Sequence, residues 1–111
     1  MSNLKVFNPS GLFGGREYEP AILQEATQCI QDGAQGILID FSAVTFVDSM
    51  GVSVLVRLLQ RCNKAKCQLY LCAMNESARM IMELTEIYKN FSIYPNRAAA
   101  EWAFHDQFPP A

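Results

Sequence analysis

Short apolar runs alternate along this chain with segments whose apolar residues recur at helical spacing. The runs GILIDF, residues 36–41, and CQLYLCA, residues 67–73, are typical of strands buried on both faces. Between them, residues 50–63 carry apolar side chains three and four positions apart, as on one face of a helix. Because strands that alternate with helices pack as a largely parallel sheet, this order predicts an α/β fold.

The same alternation continues toward both ends of the chain. Pro9 and three glycines predict a loop over residues 9–15, and Asn75 and Asn96 are suited to cap helices. The other predicted elements are a strand over residues 4–8, a helix over 20–32, a helix from Asn75 to Lys89 with Ala78, Ile81, Leu84 and Tyr88 on its buried face, a strand FSIY over 91–94 and a helix RAAAEWAF over 97–104. We therefore expect one domain over residues 1–111, with a core over about 4–104 and a frayed tail at 105–111.

Charge and hydropathy exclude several classes of protein. The 111 residues include 9 basic and 11 acidic side chains, with a net charge of -2 and no basic stripe. Nucleic-acid binding therefore has little electrostatic support. The N-terminal sequence has no basic segment followed by a long apolar one, so it does not resemble a signal peptide. No apolar run approaches the roughly 20 residues of a membrane span, and we expect a cytoplasmic protein that does not bind membranes.

The four cysteines are expected to be reduced and buried. None forms a CxxC pair, and each lies in a predicted helix or strand. They are Cys29, Cys62, Cys67 and Cys72. A zinc site needs closely spaced ligand pairs, and the sole histidine is His105 near the tail. We expect neither a metal nor a cofactor.

The stretch TFVDSMGVSVL, residues 45–55, places two polar residues inside an otherwise apolar region. Asp48 and Ser49 lie where a strand-side segment turns into the helix over 50–63, and both residue types are good N-caps. A cap needs only one of them, and Gly51 in the first turn weakens the helix by roughly 0.5–1 kcal/mol. A small residue there lets another group approach the backbone, and helix N-termini attract anions. Ser49 is therefore a candidate phosphate site, with a simple capping role as the alternative.

The outer face of the same helix is a candidate partner-binding surface. Its core face is predicted at Val52, Leu55, Val56, Leu59 and Cys62. A 100° advance per residue then puts Met50 and Val54 on the opposite side, beside Arg57 and Arg61. Methionine and arginine are enriched in interfaces, although stray surface hydrophobic residues are common. The predicted surface consists of Asp48, Met50, Gly51, Val54, Arg57 and Arg61.

Three motifs together resemble the STAS-domain family, which includes the anti-sigma factor antagonists. They are Asp40-Phe41-Ser42, VTFVDSMGV over residues 44–52 and Leu84-Thr85, and the similarity covers most of residues 36–104. The resemblance implies a single-domain fold of about four mostly parallel or mixed strands and about four helices packed mainly on one side. Met50 departs from the family pattern, which has Ser, Thr or Ala there, and Gly11-Leu12-Phe13-Gly14 lacks the acid that antagonists often carry.

For function, the resemblance implies a regulatory protein rather than an enzyme. Antagonists of this family bind an anti-sigma factor that is also a serine protein kinase, and that kinase phosphorylates the serine of Asp-Ser-x-Gly. Carried over, the phosphoacceptor is Ser49, next to Asp48, and phosphorylation switches binding off. A metal-dependent serine phosphatase restores the serine. The alternative is a STAS scaffold or interaction domain in a signalling complex that is never phosphorylated.

Enzymatic and nucleotide-binding interpretations fit the residues less well. A serine hydrolase elbow, G-x-S-x-G, would need glycine where Val47 stands, and its base would have to be His105. A receiver domain that uses Asp48 would need further acids near its N-terminus, and residues 1–16 contain none. The segment GLFGGR lacks the Gly-Lys-Ser/Thr of a phosphate-binding loop.

Overall fold

The computed structural model describes residues 3–15 and 19–109, with the side chains of residues 19 and 20 left out. The strands are β1 (Leu4–Phe7), β2 (Ser10–Phe13), β3 (Gly36–Asp40), β4 (Ala43–Val47), β5 (Gln68–Cys72) and β6 (Ser92–Tyr94). The helices are α1 (Glu19–Gln31), α2 (Ser49–Ala65), α3 (Glu76–Leu84) and α4 (Arg97–Gln107), with a 3₁₀ turn at Ile87–Asn90. The predicted strands over 4–8, 36–41, 67–73 and 91–94 and all four predicted helices are present.

The main sheet has four parallel strands in the order β1-β3-β5-β6. Gly36 of β3 pairs with Leu4 on one side and with Gln68 on the other. Every residue of β3 is buried, as expected of a central strand with both faces covered. The α/β fold and the parallel sheet are therefore confirmed.

Successive residues of the central strands point to opposite faces of the sheet. Ile37 and Ile39 face the larger core, to which α1, α2 and α3 contribute, whereas Leu38 faces a smaller core under α4. Phe104 of α4 fills the smaller core and touches the space above Gly36, where a Cβ atom would lie 2.7 Å from its ring. Three helices thus share one face, and α4 covers the other.

A second, two-stranded parallel sheet was not expected from the sequence. It joins β2 and β4, with Ser10 opposite Ala43 and Phe13 opposite Val47. A register shift between Gly11 and Leu12 marks a bulge. The prediction of a loop over residues 9–15 was wrong for residues 10–13, which form β2. Pro9 and the glycines do not indicate a strand, and its partner strand lies more than 30 residues away in sequence.

Helix α3 is shorter than predicted. It ends at Leu84 rather than Lys89, because Glu86 adopts a left-handed conformation with φ 60° and a 3₁₀ turn follows. Leu84, predicted on the buried face, is 77% exposed, and Met82 is fully buried instead. The predicted cap is confirmed, since Asn75 Oδ1 accepts a hydrogen bond from the Ala78 amide at 2.8 Å.

The C-terminal helix extends into the segment predicted to fray. Asn96 caps α4 as predicted, accepting from the Ala99 amide at 2.8 Å. The helix continues to Gln107, and the Phe108 ring packs on Phe104 with the ring centroids 5.1 Å apart. Residues 105–108 therefore belong to the folded domain, and the last two residues of the predicted tail lie outside the described part.

The prediction of reduced cysteines is confirmed, and three of the four are buried as predicted. All four cysteines are free thiols; Cys62, Cys67 and Cys72 are buried and Cys29 is half-buried. The longest helix, α2, has 17 residues and an amphipathic pattern. Among the residues that the structure describes, none of the helices combines the length and the apolar character needed to span a membrane.

Candidate functional site

The Asp-Ser corner lies between the end of β4 and the start of α2. Asp48 is the N-cap of α2, with extended backbone angles of φ -103° and ψ -177°. Its Oδ1 accepts a hydrogen bond from the Gly51 amide at 2.9 Å, which satisfies one of the free donors in the first helical turn. Of the two polar residues, Asp48 caps the helix, and Ser49 does not.

The second carboxylate oxygen of Asp48 reaches another part of the chain. Oδ2 accepts from the Gly15 amide at 3.0 Å, across 33 residues. The neighbouring Gly14 has φ 144°, and a Cβ atom there would overlap the Asp48 carboxylate. Glycine at position 14 is therefore what allows the segment after β2 to close over this carboxylate. Asp48 thus ties that segment to the start of α2.

Gly51 is explained by contact within the chain. It is buried, and a Cβ atom at this position would collide with the carbonyl oxygen of Phe13 in β2. The Asp48 amide donates to the same carbonyl at 3.3 Å. The sequence correctly indicated a close backbone approach in the first turn of α2, but the approaching group is Phe13 and not a partner molecule.

Ser49 is exposed, whereas Met50 and Asp48 are half-buried. Ser49 is the first residue of α2, at the positive end of the helix dipole, where phosphate is electrostatically tolerated. The adjacent carboxylate is already engaged by the two glycine amides. The corner therefore presents the Ser49 side chain to solvent next to a hydrogen-bonded carboxylate.

Two exposed apolar side chains lie on the small sheet that supports this corner. Leu12 pairs with Phe46, and they are 47% and 51% exposed. Because side chains alternate along strands, Gly14 and Asp48 follow Leu12 and Phe46 on the same outer face. Leu12 also lies 3.7 Å from where a Cβ of Gly15 would be. This pair, the Leu12–Phe46 platform, was missed from sequence because β2 and β4 were not recognised as strands.

The predicted exposure of Val54 is wrong. Val54 is 1% exposed and belongs to the larger core. Arg61, seven residues further on and so on the same side of α2, donates from Nη1 to Thr27 Oγ1 of α1 at 2.7 Å. That side of α2 packs against α1, a contact that the pattern of a single helix does not reveal. Leu58, which was left out of the predicted core face, is fully buried.

The two arginines of the predicted surface are exposed but lie away from the corner. At about 1.5 Å of rise per residue, Arg57 is roughly 12 Å and Arg61 roughly 18 Å along the α2 axis from Ser49. The structure therefore brings Asp48, Ser49 and Met50 together with the Leu12–Phe46 platform. It places both arginines further along the helix.

The first acid of the motif, Asp40, has a structural role on the other side of the sheet. It is 5% exposed; Oδ2 accepts from Arg97 Nε of α4 at 3.0 Å, and Oδ1 accepts from the Ser42 amide at 2.9 Å. Burial alone would raise the pKa of Asp40, but the hydrogen bonds from Ser42 and Arg97 outweigh it and leave this pKa below its usual value. Asp40 is not part of the Ser49 corner.

The described residues offer little for metal or acid–base chemistry. Within residues 3–15 and 19–109, no three His, Cys, Asp or Glu side chains are grouped so as to hold a metal ion. His105, the sole histidine of the sequence, lies on α4, which covers the face of the sheet opposite α2. It is therefore not positioned to act on Ser49.

The family model of the STAS domain matches residues 17–100 of this chain. The chain belongs to the STAS-domain family. The match includes the Asp48-Ser49 corner, α2 and all of the main sheet except β1. Among curated proteins, none matches this chain in sequence.

Several solved structures share this STAS fold. An anti-sigma factor antagonist from Mycobacterium paratuberculosis is 25% identical, with a TM-score of 0.79 over 95% of this chain and 88% of its own. A Thermotoga maritima protein, assigned provisionally as an anti-sigma factor antagonist, is 18% identical, with a TM-score of 0.84 over 92% and 87%. The STAS domain of a SulP transporter from Vibrio cholerae is 18% identical, with a TM-score of 0.78 over 96% and 84%.

Proposed function

We propose that this STAS protein is an anti-sigma factor antagonist that is switched by phosphorylation of Ser49. In its unmodified form it binds an anti-sigma factor that is also a serine protein kinase. That kinase phosphorylates Ser49 and so ends the interaction, and a metal-dependent serine phosphatase restores it. The protein itself acts by binding rather than by catalysis, in the cytoplasm and without nucleic acid, membrane or cofactor.

The observation that carries this proposal is the exposure of Ser49 at the start of α2. The residue needed for capping is Asp48, so the serine hydroxyl is available for modification. A phosphoserine carries about -1.5 to -2 charges at neutral pH, and the helix dipole offsets part of this within the domain. The fold therefore tolerates the phosphate at a position where a partner surface would have to desolvate it.

The partner surface is proposed to consist of Ser49, Met50 and the Leu12–Phe46 platform, with Arg57 at its rim. Clustered exposed apolar residues next to a single polar switch are typical of a protein interface with an apolar centre. Val54 and Gly51, which the sequence placed on the partner surface, are buried and are therefore not part of it. Asp48 shapes it by holding the segment at Gly15.

The surface can be tested by truncating its apolar centre. Phe46→Ala and Leu12→Ala should each weaken partner binding by about 2 kcal/mol or more, as buried interface anchors do. Trp102→Ala, which removes a side chain that is 70% exposed on α4, is the matched control and should leave the affinity unchanged. Equal losses for all three variants would argue against a surface centred on the small sheet.

The alternative function is that of a STAS interaction domain that is never phosphorylated. The similarity to the transporter STAS domain favours it, since that likeness is nearly as close as the likeness to the antagonists. Met50 also stands where the family pattern has a smaller residue. Both functions use the same fold, so phosphorylation itself must decide between them.

The deciding experiment is incubation with the kinase and ATP, followed by the mass of the intact chain. The proposal predicts the addition of one phosphate to the wild type and to Ser77→Ala, and none to Ser49→Ala. Ser77 is a suitable control because it is also exposed and also lies in the first turn of a helix, α3. The serine kinases to test are those of the same organism that bind this chain. If none of them phosphorylates the wild-type chain, the result would favour the alternative function.

A further inference from the structure

The Asp48 carboxylate takes up backbone donors that a phosphate on Ser49 would otherwise use. Phosphates at helix N-termini usually accept hydrogen bonds from the free amides of the first turn. Here the Gly51 amide already donates to Asp48 Oδ1 at 2.9 Å, and the nearby Gly15 amide donates to Oδ2 at 3.0 Å. Both oxygens of the Asp48 carboxylate therefore accept hydrogen bonds from backbone amides at this corner.

The packing of the corner keeps this carboxylate in place. The Asp48 amide donates to the Phe13 carbonyl at 3.3 Å, and the missing side chain of Gly14 leaves room that the carboxylate fills. To give up either amide, Asp48 would have to leave a site formed by β2, the segment after it and α2. A phosphate on the next residue has no such enclosed site, because Ser49 is exposed.

The charges around the corner point in the same direction. Over residues 10–15 and 43–56, Asp48 is the only charged side chain in the sequence; Arg16 and Glu17, which come next after Gly15, lie outside the described residues. A phosphate on Ser49 therefore meets one fixed negative charge beside it within these segments, and the nearest cation on α2 is Arg57, roughly two turns away. Like charges that are this close favour separation into solvent.

We propose, on the premise that Ser49 is the phosphoacceptor, that Asp48 is the residue that directs its phosphate outward. By holding the Gly15 and Gly51 amides and repelling a second anion, it keeps the phosphate from accepting hydrogen bonds from these two amides. The modification then acts as charge displayed to the partner rather than as a new helix cap. This assigns a positioning role to the acid of the Asp-Ser pair.

The test uses phosphoserine installed at position 49 by an expanded genetic code, so it requires neither kinase nor partner. The second pKa of the phosphate is measured by ³¹P NMR in the otherwise wild-type chain and in Asp48→Asn, which keeps a capping oxygen and removes the charge. We expect this pKa to be higher in the wild-type background, by about half a pH unit. Glu76→Gln, which removes an acid from the first turn of α3, is the control and should not change it.

A second reading follows the Gly15 and Gly51 amides by ¹⁵N NMR during the same titration. In the otherwise wild-type chain, neither amide should shift downfield as the phosphate ionises, because both donate to Asp48. A Gly51 amide that follows the phosphate titration, or equal pKa values with and without Asp48, would overturn the proposal. This result is independent of the proposed function, which fails instead if no kinase modifies Ser49. The amide measurement needs no Asp48 variant and decides the matter even if Asp48→Asn does not fold.

Discussion

The N-termini of α2 and α3 are both capped by a side-chain oxygen, but the second polar atom of each cap forms the opposite kind of hydrogen bond. Asp48 caps α2 and uses its second oxygen to accept from Gly15, whereas Asn75 caps α3 and uses its amino group as a donor. Asn75 Nδ2 donates to the carbonyls of Val44 and Thr45, at 3.3 and 3.2 Å, where β4 bulges. Asp48 thus links α2 to the segment after β2 by accepting from a backbone amide, whereas Asn75 links α3 to β4 by donating to backbone carbonyls.

Under the proposed function, this difference favours the start of α2 over the start of α3 as the phosphate site. At α2 the carboxylate fixes the backbone and leaves the next residue, Ser49, exposed beside the Leu12–Phe46 platform. At α3 the residue that follows the cap is Glu76, already an acid, and the neutral Asn75 is turned toward β4. A carboxylate whose two oxygens both accept from backbone amides, as in Asp48, can thus hold the backbone in place while the next residue stays exposed.

The largest expected effect contrasts the same substitution on the two helices. Val54→Glu should destabilise the domain by at least about 4 kcal/mol, because it buries an unpaired carboxylate in the larger core. Leu84→Glu on α3 should change stability by no more than about 0.5 kcal/mol, since Leu84 is 77% exposed. Urea unfolding monitored by circular dichroism gives both values. A stable Val54→Glu variant would restore the original assignment of Val54 to an exposed face.

The next effect concerns the third residue of each of these two helices. Gly51 and Ala78 occupy equivalent positions in α2 and α3, each donating its amide to the cap. Gly51→Ala should cost about 1–3 kcal/mol through overlap with the Phe13 carbonyl, although alanine favours helices. Ala78→Gly should cost at least about 0.5–1 kcal/mol through helix propensity. If thermal unfolding shows that Gly51→Ala is stabilising, Phe13 does not approach the helix as closely as described.

Exchanging the two caps sharpens the comparison further. Aspartate and asparagine are equally good N-caps, so capping alone predicts little change for Asp48→Asn or Asn75→Asp. The tertiary hydrogen bonds predict a loss of about 1–2 kcal/mol for each. Asparagine would turn an amino group toward the Gly15 amide, and aspartate would face the carbonyls of β4. Denaturant unfolding measures the change in stability. An unchanged stability at either site would mean that this residue acts only as a local helix cap.

The sequence predicted the main sheet and all four helices because their apolar patterns are local. It did not predict the small sheet, since β2 contains Gly11 and β4 is interrupted by a bulge that breaks the alternation of buried residues. The platform formed by Leu12 and Phe46 depends on that pairing and was missed with it. Residues at the corner, by contrast, were predicted because capping requires particular residue types.

Val54 illustrates a second limit of the sequence. Helical spacing correctly grouped it with Arg61 on one side of α2, but spacing does not say what covers that side. The packing of α1 there, and the hydrogen bond from Arg61 to Thr27, are decided by the tertiary fold. Gly51 shows the same limit. A glycine in a helix correctly predicted a close contact, but the sequence did not indicate that the contacting group is the Phe13 carbonyl.

The smallest stability effect is expected for negative charge at the two helix starts. Ser49→Asp and Ser77→Asp each add an acid near a favourable helix dipole and beside an existing acid. Each should change the free energy of unfolding by no more than about 0.5 kcal/mol. Differential scanning calorimetry of both variants tests this. A marked loss of stability for Ser49→Asp alone would mean that the corner does not tolerate the charge of a phosphate.

The most direct test of a Ser49 switch is the affinity for an anti-sigma factor with serine kinase activity, before and after phosphorylation. Titration calorimetry should show that the phosphate weakens binding by about 100-fold or more, because a desolvated dianion costs several kcal/mol at about 1.4 kcal/mol per decade. Ser49→Ala should bind as the unmodified chain does, with circular dichroism confirming the fold of each form. Equal affinities for the phosphorylated and unmodified chains, both folded, would contradict the switch and leave Ser49 as an ordinary exposed residue.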